Sequence, residues 1–202
     1  MKKALCILLA VVLGSALVGC GGGTATTSSP PVAPSESTTA PVTSPPSASS
    51  GTWGIKFYID EFQQPTSDKY ISTKDLVRGT FSNSATTNSA LSILFIIDAD
   101  SLAIALNEYG SSRVKNSSSS NYVTYNITLL TVDKNKLNVK GTMRPGSDRI
   151  NISGEDKDAV ISALSKQGGV SFYIVQSDRT TTTYLFSVET DNFAEEYQSL
   201  TS

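Results

Sequence analysis

Residues 90–109 read ALSILFIIDADSLAIALNEY, and the fold class follows from how this stretch is read. Leu91, Ile93, Phe95 and Ile97 share one face at period two, while Leu94 and Ile96 make the opposite face apolar as well. A run apolar on both faces reads as a central strand covered on both sides. Asp98, Ala99, Asp100 and Ser101 supply turn chemistry, and residues 102–109 then resume the apolar pattern, completing a hairpin. Periodicity alone leaves a buried helix open. The β-branched content and the turn favour strand.

Working outward, the alternation recurs. Val123, Tyr125, Ile127 and Leu129 share a face within residues 122–131, and Leu137, Val139 and Met143 within 137–143. The turn between them is Asp133, Lys134 and Asn135. Pro145 and Gly146 break the pattern, and residues 149–152 are long enough for a short pairing. Upstream, residues 52–60 (TWGIKFYID) alternate, residues 65–68 carry turn residues, and short strands are expected at 69–72 and 79–83. Downstream, Ser153 is placed to cap a helix whose first turn holds Glu155 and Asp156. Ala159, Val160, Ala163 and Leu164 form its apolar stripe, and Gly168 and Gly169 end it. Residues 170–175 and 183–188 read as strands around Ser177, Asp178 and Arg179. Asp191 is the expected cap of a last helix with Phe193, Tyr197 and Leu200 on one face. The fold predicted is mainly β, a mostly antiparallel β-sandwich or partly open barrel, with one or two short helices near the C-terminus.

Composition narrows the chemistry. Histidine is absent, which removes the commonest general base, any Ser-His-Asp triad and any His-liganded zinc site. The two cysteines are Cys6 and Cys20, so the folded region has no thiol nucleophile, disulfide or thiolate metal site. A net charge of −2 with no Lys/Arg run gives no footprint for nucleic acid. No cofactor is implied.

The first residues carry an address. Lys2 and Lys3 precede the apolar run of residues 4–17, close to the length of a secretory core and short for a bilayer span. Leu17, Val18, Gly19 and Cys20 then resemble the lipobox of bacterial lipoproteins. That resemblance implies cleavage before Cys20, acylation of its thiol and a membrane anchor. Residues 21–51 are rich in Gly, Ser, Thr and Pro and lack large apolar side chains, so they read as a disordered tether with a reach on the order of 30 Å. The expected organisation is a signal peptide over residues 1–19, a lipidated Cys20 with its tether over 20–52, and one β-rich domain over 53–200. Gly21 is not the aspartate associated with inner-membrane retention. The expected location is therefore the cell envelope, outside the cytoplasm: the outer membrane where the host has one, otherwise the outer face of the cytoplasmic membrane.

Several constellations were weighed. Asp60 and Glu61 with Asp68 and Lys69 surround the Pro65 region, as a cation site, as carboxylates for glycoside hydrolysis, or as a strand end stabilised by turn hydrogen bonds. Consecutive strand residues point to opposite faces, which disfavours Asp60 and Glu61 as the hydrolytic pair. Asp98 and Asp100 lack the glycine and glutamate that a calcium loop needs, and a hairpin turn is the better reading. Trp53 reads as a core plug where tether meets domain. Tyr58, Asp60, Tyr70 and Tyr109 are the candidate binding surface.

The segment from Trp53 through YIDEFQQPTSDKYI (58–71) resembles a motif, Trp followed by D-E-F-x-x-P-T-x-x-K-Y-I, recurring in uncharacterised bacterial lipoproteins and exported proteins. The likeness continues through GTFSNSAT (79–86), EYG (108–110) and GGVSF (168–172). A weaker likeness of layout is to small exported proteins encoded with type VI secretion systems. The resemblance implies a domain and no mechanism. The function expected is that of a lipid-anchored envelope protein that binds a protein or envelope component without catalysis. The alternatives are a carboxylate hydrolase of envelope glycans, using the Pro65 region with Glu108 and Tyr109, and an accessory subunit of a secretion or surface assembly.

Overall fold

The computed structural model describes residues 51–202. The expected signal peptide, Cys20 and the expected tether up to residue 50 lie outside the described residues. Strands make up 52% of what is described, so the mainly β prediction holds. β1 (Trp53–Ile59) and β2 (Pro65–Thr73) form a hairpin, followed by β3 (Val77–Ser82), β4 (Ser89–Ile97) and β5 (Leu102–Glu108). A two-residue β6 (Ser112–Arg113) leads to β7 (Val123–Thr131), β8 (Lys136–Met143) and β9 (Ile150–Ile152). Helix α1 (Glu155–Leu164) precedes β10 (Gly169–Gln176) and β11 (Arg179–Glu189), and α2 (Phe193–Thr201) ends the chain.

Eight of these strands close into an antiparallel barrel, in the order β4, β3, β11, β10, β7, β8, β9, β5 and back to β4. The 90–109 hairpin is the seam. β4 and β5 pair from Leu91 opposite Glu108 down to Ile97 opposite Leu102. A barrel rather than a sandwich forms, because β4 finds a partner along both edges. Gly141 permits a close approach beside the β8–β9 pairing of Thr142 with Asn151, because a Cβ there would stand 2.4 Å from Ile150 Cγ2.

The barrel interior is filled by side chains, as eight strands of this kind allow. Leu91, Ile93, Phe95 and Ile97 are all buried, as the alternation predicts. Phe95 lies 5.3 Å from the Trp53 ring, 5.5 Å from Phe172 and 6.0 Å from Phe186. Phe172 and Phe186 stack at 5.0 Å. Trp53 is fully buried and meets Phe193 of α2 edge-on at 4.9 Å. Its indole N–H donates to the Glu189 carbonyl at 2.8 Å.

Strand directions give the barrel two distinct poles. α1, α2, Trp53 and the Asp98–Ser101 turn occupy one. Lys157 of α1 is buried and its ammonium donates to the Ala99 carbonyl, tying helix to turn. The chain enters at this pole, where Asn192 accepts from Trp53 N–H at 3.0 Å and donates to Trp53 C=O at 2.9 Å. The other pole holds the ends of β3, β5, β7, β10 and β11 with their loops.

β2 and β3 follow the same edge of β4, Ile71 opposite Ile97 and Val77 opposite Ile93. Six residues on one strand thus answer four on the other, and the surplus at 74–76 lets the β1–β2 ribbon leave the barrel wall.

Three local expectations need correction. The first hairpin turns at residues 60–64, and Pro65 already opens β2 opposite Ile59. The Asp60 carboxylate makes that turn, accepting from Phe62 N–H at 2.9 Å and Gln64 N–H at 2.8 Å. The N-cap of α1 is Gly154, at φ 60°, without a side-chain cap from Ser153. The N-cap of α2 is Asn192, because the Asp191 carboxylate instead accepts from Thr52 N–H at 3.1 Å.

Candidate functional site

The four residues expected to share a binding surface divide between the poles. Tyr58 and Tyr70 pack together on the ribbon with ring centroids 4.7 Å apart. The Tyr58 hydroxyl donates to Asp98 Oδ2 at 3.1 Å, and its pKa is raised, first by burial and then by the Asp98 charge. Asp60 is spent on its turn. Tyr109 stands at the far end of β5, edge-on to Phe81 at 4.9 Å. The hydrolytic pairing of the Pro65 region with Glu108 is therefore not assembled, because β5 separates the two along its whole length.

The mouth of the barrel builds a different site. A cleft of about 600 Å³ lies among the β3–β4 loop, the segment 109–122 and the β10–β11 turn. Its walls are fixed by local hydrogen bonds. The buried Asn116 amide donates to the carbonyls of Asn121 and Met143 at 2.8 and 3.0 Å and accepts from Ser118 N–H at 3.0 Å. Arg113 reaches Asn107 Oδ1 and Asp148 Oδ2 at 2.8 and 2.9 Å. Ser177 N–H donates to Thr124 C=O at 2.8 Å. A site held this way needs little ordering when a ligand arrives.

Two tyrosines form its floor. Tyr184 of β11 and Tyr125 of β7 are each only 2% exposed and line the cleft. The Tyr184 hydroxyl donates to Glu108 Oε1 at 3.0 Å. Burial, then the Glu108 charge, pushes its pKa far above the ordinary phenol value. The Tyr125 hydroxyl has no hydrogen-bond partner among the described residues, although the ring lines the cleft. Burial, then Asp178 and Glu108, raises it to about 12. It therefore remains a neutral donor at physiological pH. Above the floor stand two carboxylates, Glu108 and Asp178, two cations, Lys115 and Arg179, and the exposed ring of Tyr122.

The alternation puts Tyr125 on the apolar face of its strand and 183–188 in a strand without singling out Tyr184; both rings lie in the core. The available signal was the residue type. Each is an inward tyrosine near the loop end of a strand whose other inward positions are mostly aliphatic or phenylalanine, and a phenol there meets solvent at its tip. Among the described residues, no group of three or more His, Cys, Asp or Glu is placed to hold a metal ion. None of their helices is long and apolar enough to cross a membrane. No protein family, curated protein or solved structure matches this chain.

Proposed function

We propose that this chain is a lipid-anchored protein of the cell envelope whose β domain binds a protein or envelope component without catalysis. The observation that carries the binding reading is the mouth cleft, where the Tyr125 hydroxyl ends without a protein partner among the described residues. The lipobox-like segment at residues 17–20 and the hydroxyl- and proline-rich stretch after it support the anchor. So does the likeness of the 53–71 motif to lipoproteins. Two acyl chains on Cys20 hold far more firmly than one. The chain enters the domain at the pole opposite the cleft. Tethering also raises the local concentration of the domain near surface partners, where modest affinity is enough.

Cys20→Ala should move the full chain from the membrane fraction to the soluble fraction of cells, and retention on the membrane removes the anchor from this reading. The cleft is tested separately. Envelope binding by the full chain that survives both Tyr122→Ala and Tyr125→Phe unchanged puts the binding face elsewhere.

The accessory-subunit reading has its own observation. β1 ends the sheet, and on the ribbon Phe57, Ile59 and Phe62 are 47%, 66% and 75% exposed. An unpaired edge with apolar side chains is a template for a strand from another chain. Loss of co-purifying subunits on Phe62→Asp, with the cleft variants unaffected, would favour that reading.

A further inference from the structure

We propose that the mouth cleft takes an uncharged saccharide, stacked on Tyr122 and hydrogen-bonded by the Tyr125 hydroxyl and the Glu108 carboxylate. This names the ligand class for the binding reading above and rests on it.

The contrast between two equally buried phenols starts the inference. Tyr184 gives its proton to Glu108, whereas Tyr125 gives its proton to nothing among the described residues. Among the described residues, Thr73 Oγ1 is the one side-chain polar atom sealed from solvent without a partner, so the unpartnered Tyr125 hydroxyl opens to the cleft, where a ligand can accept its hydrogen bond. Glu108 Oε1 is taken by Tyr184, and Oε2 has no partner among the described residues. The cleft therefore asks for a group that accepts at Tyr125 and donates at Glu108. A hydroxyl does both.

Charge then narrows the class. Glu108 and Asp178 offset Lys115 and Arg179, so the lining favours neither an anion nor a cation. An extended peptide finds a free edge here only on the two-residue β6, because β5, β7, β10 and β11 are each paired on both sides in the closed barrel. What remains is a neutral ligand dense in hydroxyls with an apolar face. Tyr122, 63% exposed, offers a ring for that face at the rim.

The test is calorimetric titration of the detergent-solubilised full chain with N-acetylglucosamine tetramer, cellotetraose and maltotetraose. At least one should bind saturably, with affinity little changed by added salt. Tyr122→Ala should weaken that binding at least about tenfold, and Tyr125→Phe about three- to tenfold. Both variants should melt at the wild-type temperature. Binding that ignores both substitutions overturns the proposal. So does the absence of binding by all three sugars. In the latter case, envelope binding that is lost in both variants leaves the wider binding reading standing and only the saccharide wrong. Envelope binding unchanged in both variants sinks the two together.

Discussion

At the helix-covered pole, rings of Trp53, Phe95, Phe172, Phe186 and Phe193 fill the barrel interior. At the mouth, Tyr125 and Tyr184 take the corresponding inward positions and end in hydroxyls beside Glu108. Both poles bury aromatic surface, but at the mouth the inward side chains themselves end in polar atoms within reach of a ligand, whereas the cleft beside the Asp98–Ser101 turn is lined by the β1–β2 ribbon and the turn. A small closed barrel has no internal cavity to spare, so its recognition chemistry is pushed to an end. Here the end without helices is the one that carries it. The helix-covered pole pays for rigidity with apolar burial and tethers the chain as it enters.

The contrast predicts where truncation hurts most. Phe95 touches three aromatic rings at the closed pole, so Phe95→Ala should cost about 3 to 5 kcal/mol in urea unfolding. Trp53 emission should shift red as its packing loosens. A loss below about 1 kcal/mol would mean the aromatic plug is not what holds that pole. Asn192→Ala comes next. It removes both backbone bonds to Trp53, in a buried setting, and should cost about 1 to 3 kcal/mol in the same assay.

How much of this was legible in sequence follows from what each residue's neighbours in the chain reveal. The inward rows of β4, β7 and β8 are local alternation, and the 90–109 hairpin shows them directly. Closure depends on β9 meeting β5 and on β11 meeting β3, contacts between segments far apart, and periodicity carries no trace of them. The first turn was misplaced because Pro65, Ser67 and Asp68 are strong turn residues. Asp60, which accepts two backbone N–H groups, sits earlier at what looked like a strand end. The binding surface divided for a related reason. Tyr58, Asp60 and Tyr70 are near one another in sequence and in space, whereas Tyr109 belongs to the other end of a strand. Tyr125 was legible as an inward residue of its strand and Tyr184 only as part of a strand, and their meeting beside Glu108 is again a long-range fact.

Alkaline titration probes the mouth, where two phenols with raised pKa share the cleft floor. The unfolded Tyr125 phenol ionises near 10, and the folded one at about 12. Its stability contribution is thus fully present below pH 10 and is lost as pH rises towards 12, because the unfolded chain gives up its proton first. Asp178 and Glu108 oppose the phenolate there and Arg179 favours it. Tyr184 shifts in the same direction and adds to the effect. Stability from urea unfolding should fall through this window in the wild type. Tyr125→Phe and Tyr184→Phe should each flatten the fall, and an unchanged slope in both would assign the alkaline sensitivity to other groups.

The smallest expected change is the one most specific to the mouth. At neutral pH, Tyr184→Phe strips a donor from Glu108 and should cost about 1 kcal/mol. Tyr125→Phe removes a hydroxyl of the same type at the same burial, yet breaks no protein hydrogen bond. It should leave stability within about 0.5 kcal/mol of wild type. Both rings are 2% exposed and keep their place in the Phe variants, so the difference between the two variants isolates the hydroxyls. Equal losses would mean that Tyr125 is satisfied within the fold, and the cleft would then lose the donor that marks it as a binding site. A neutral Tyr125→Phe whose ligand affinity falls would show a polar atom kept for something other than folding.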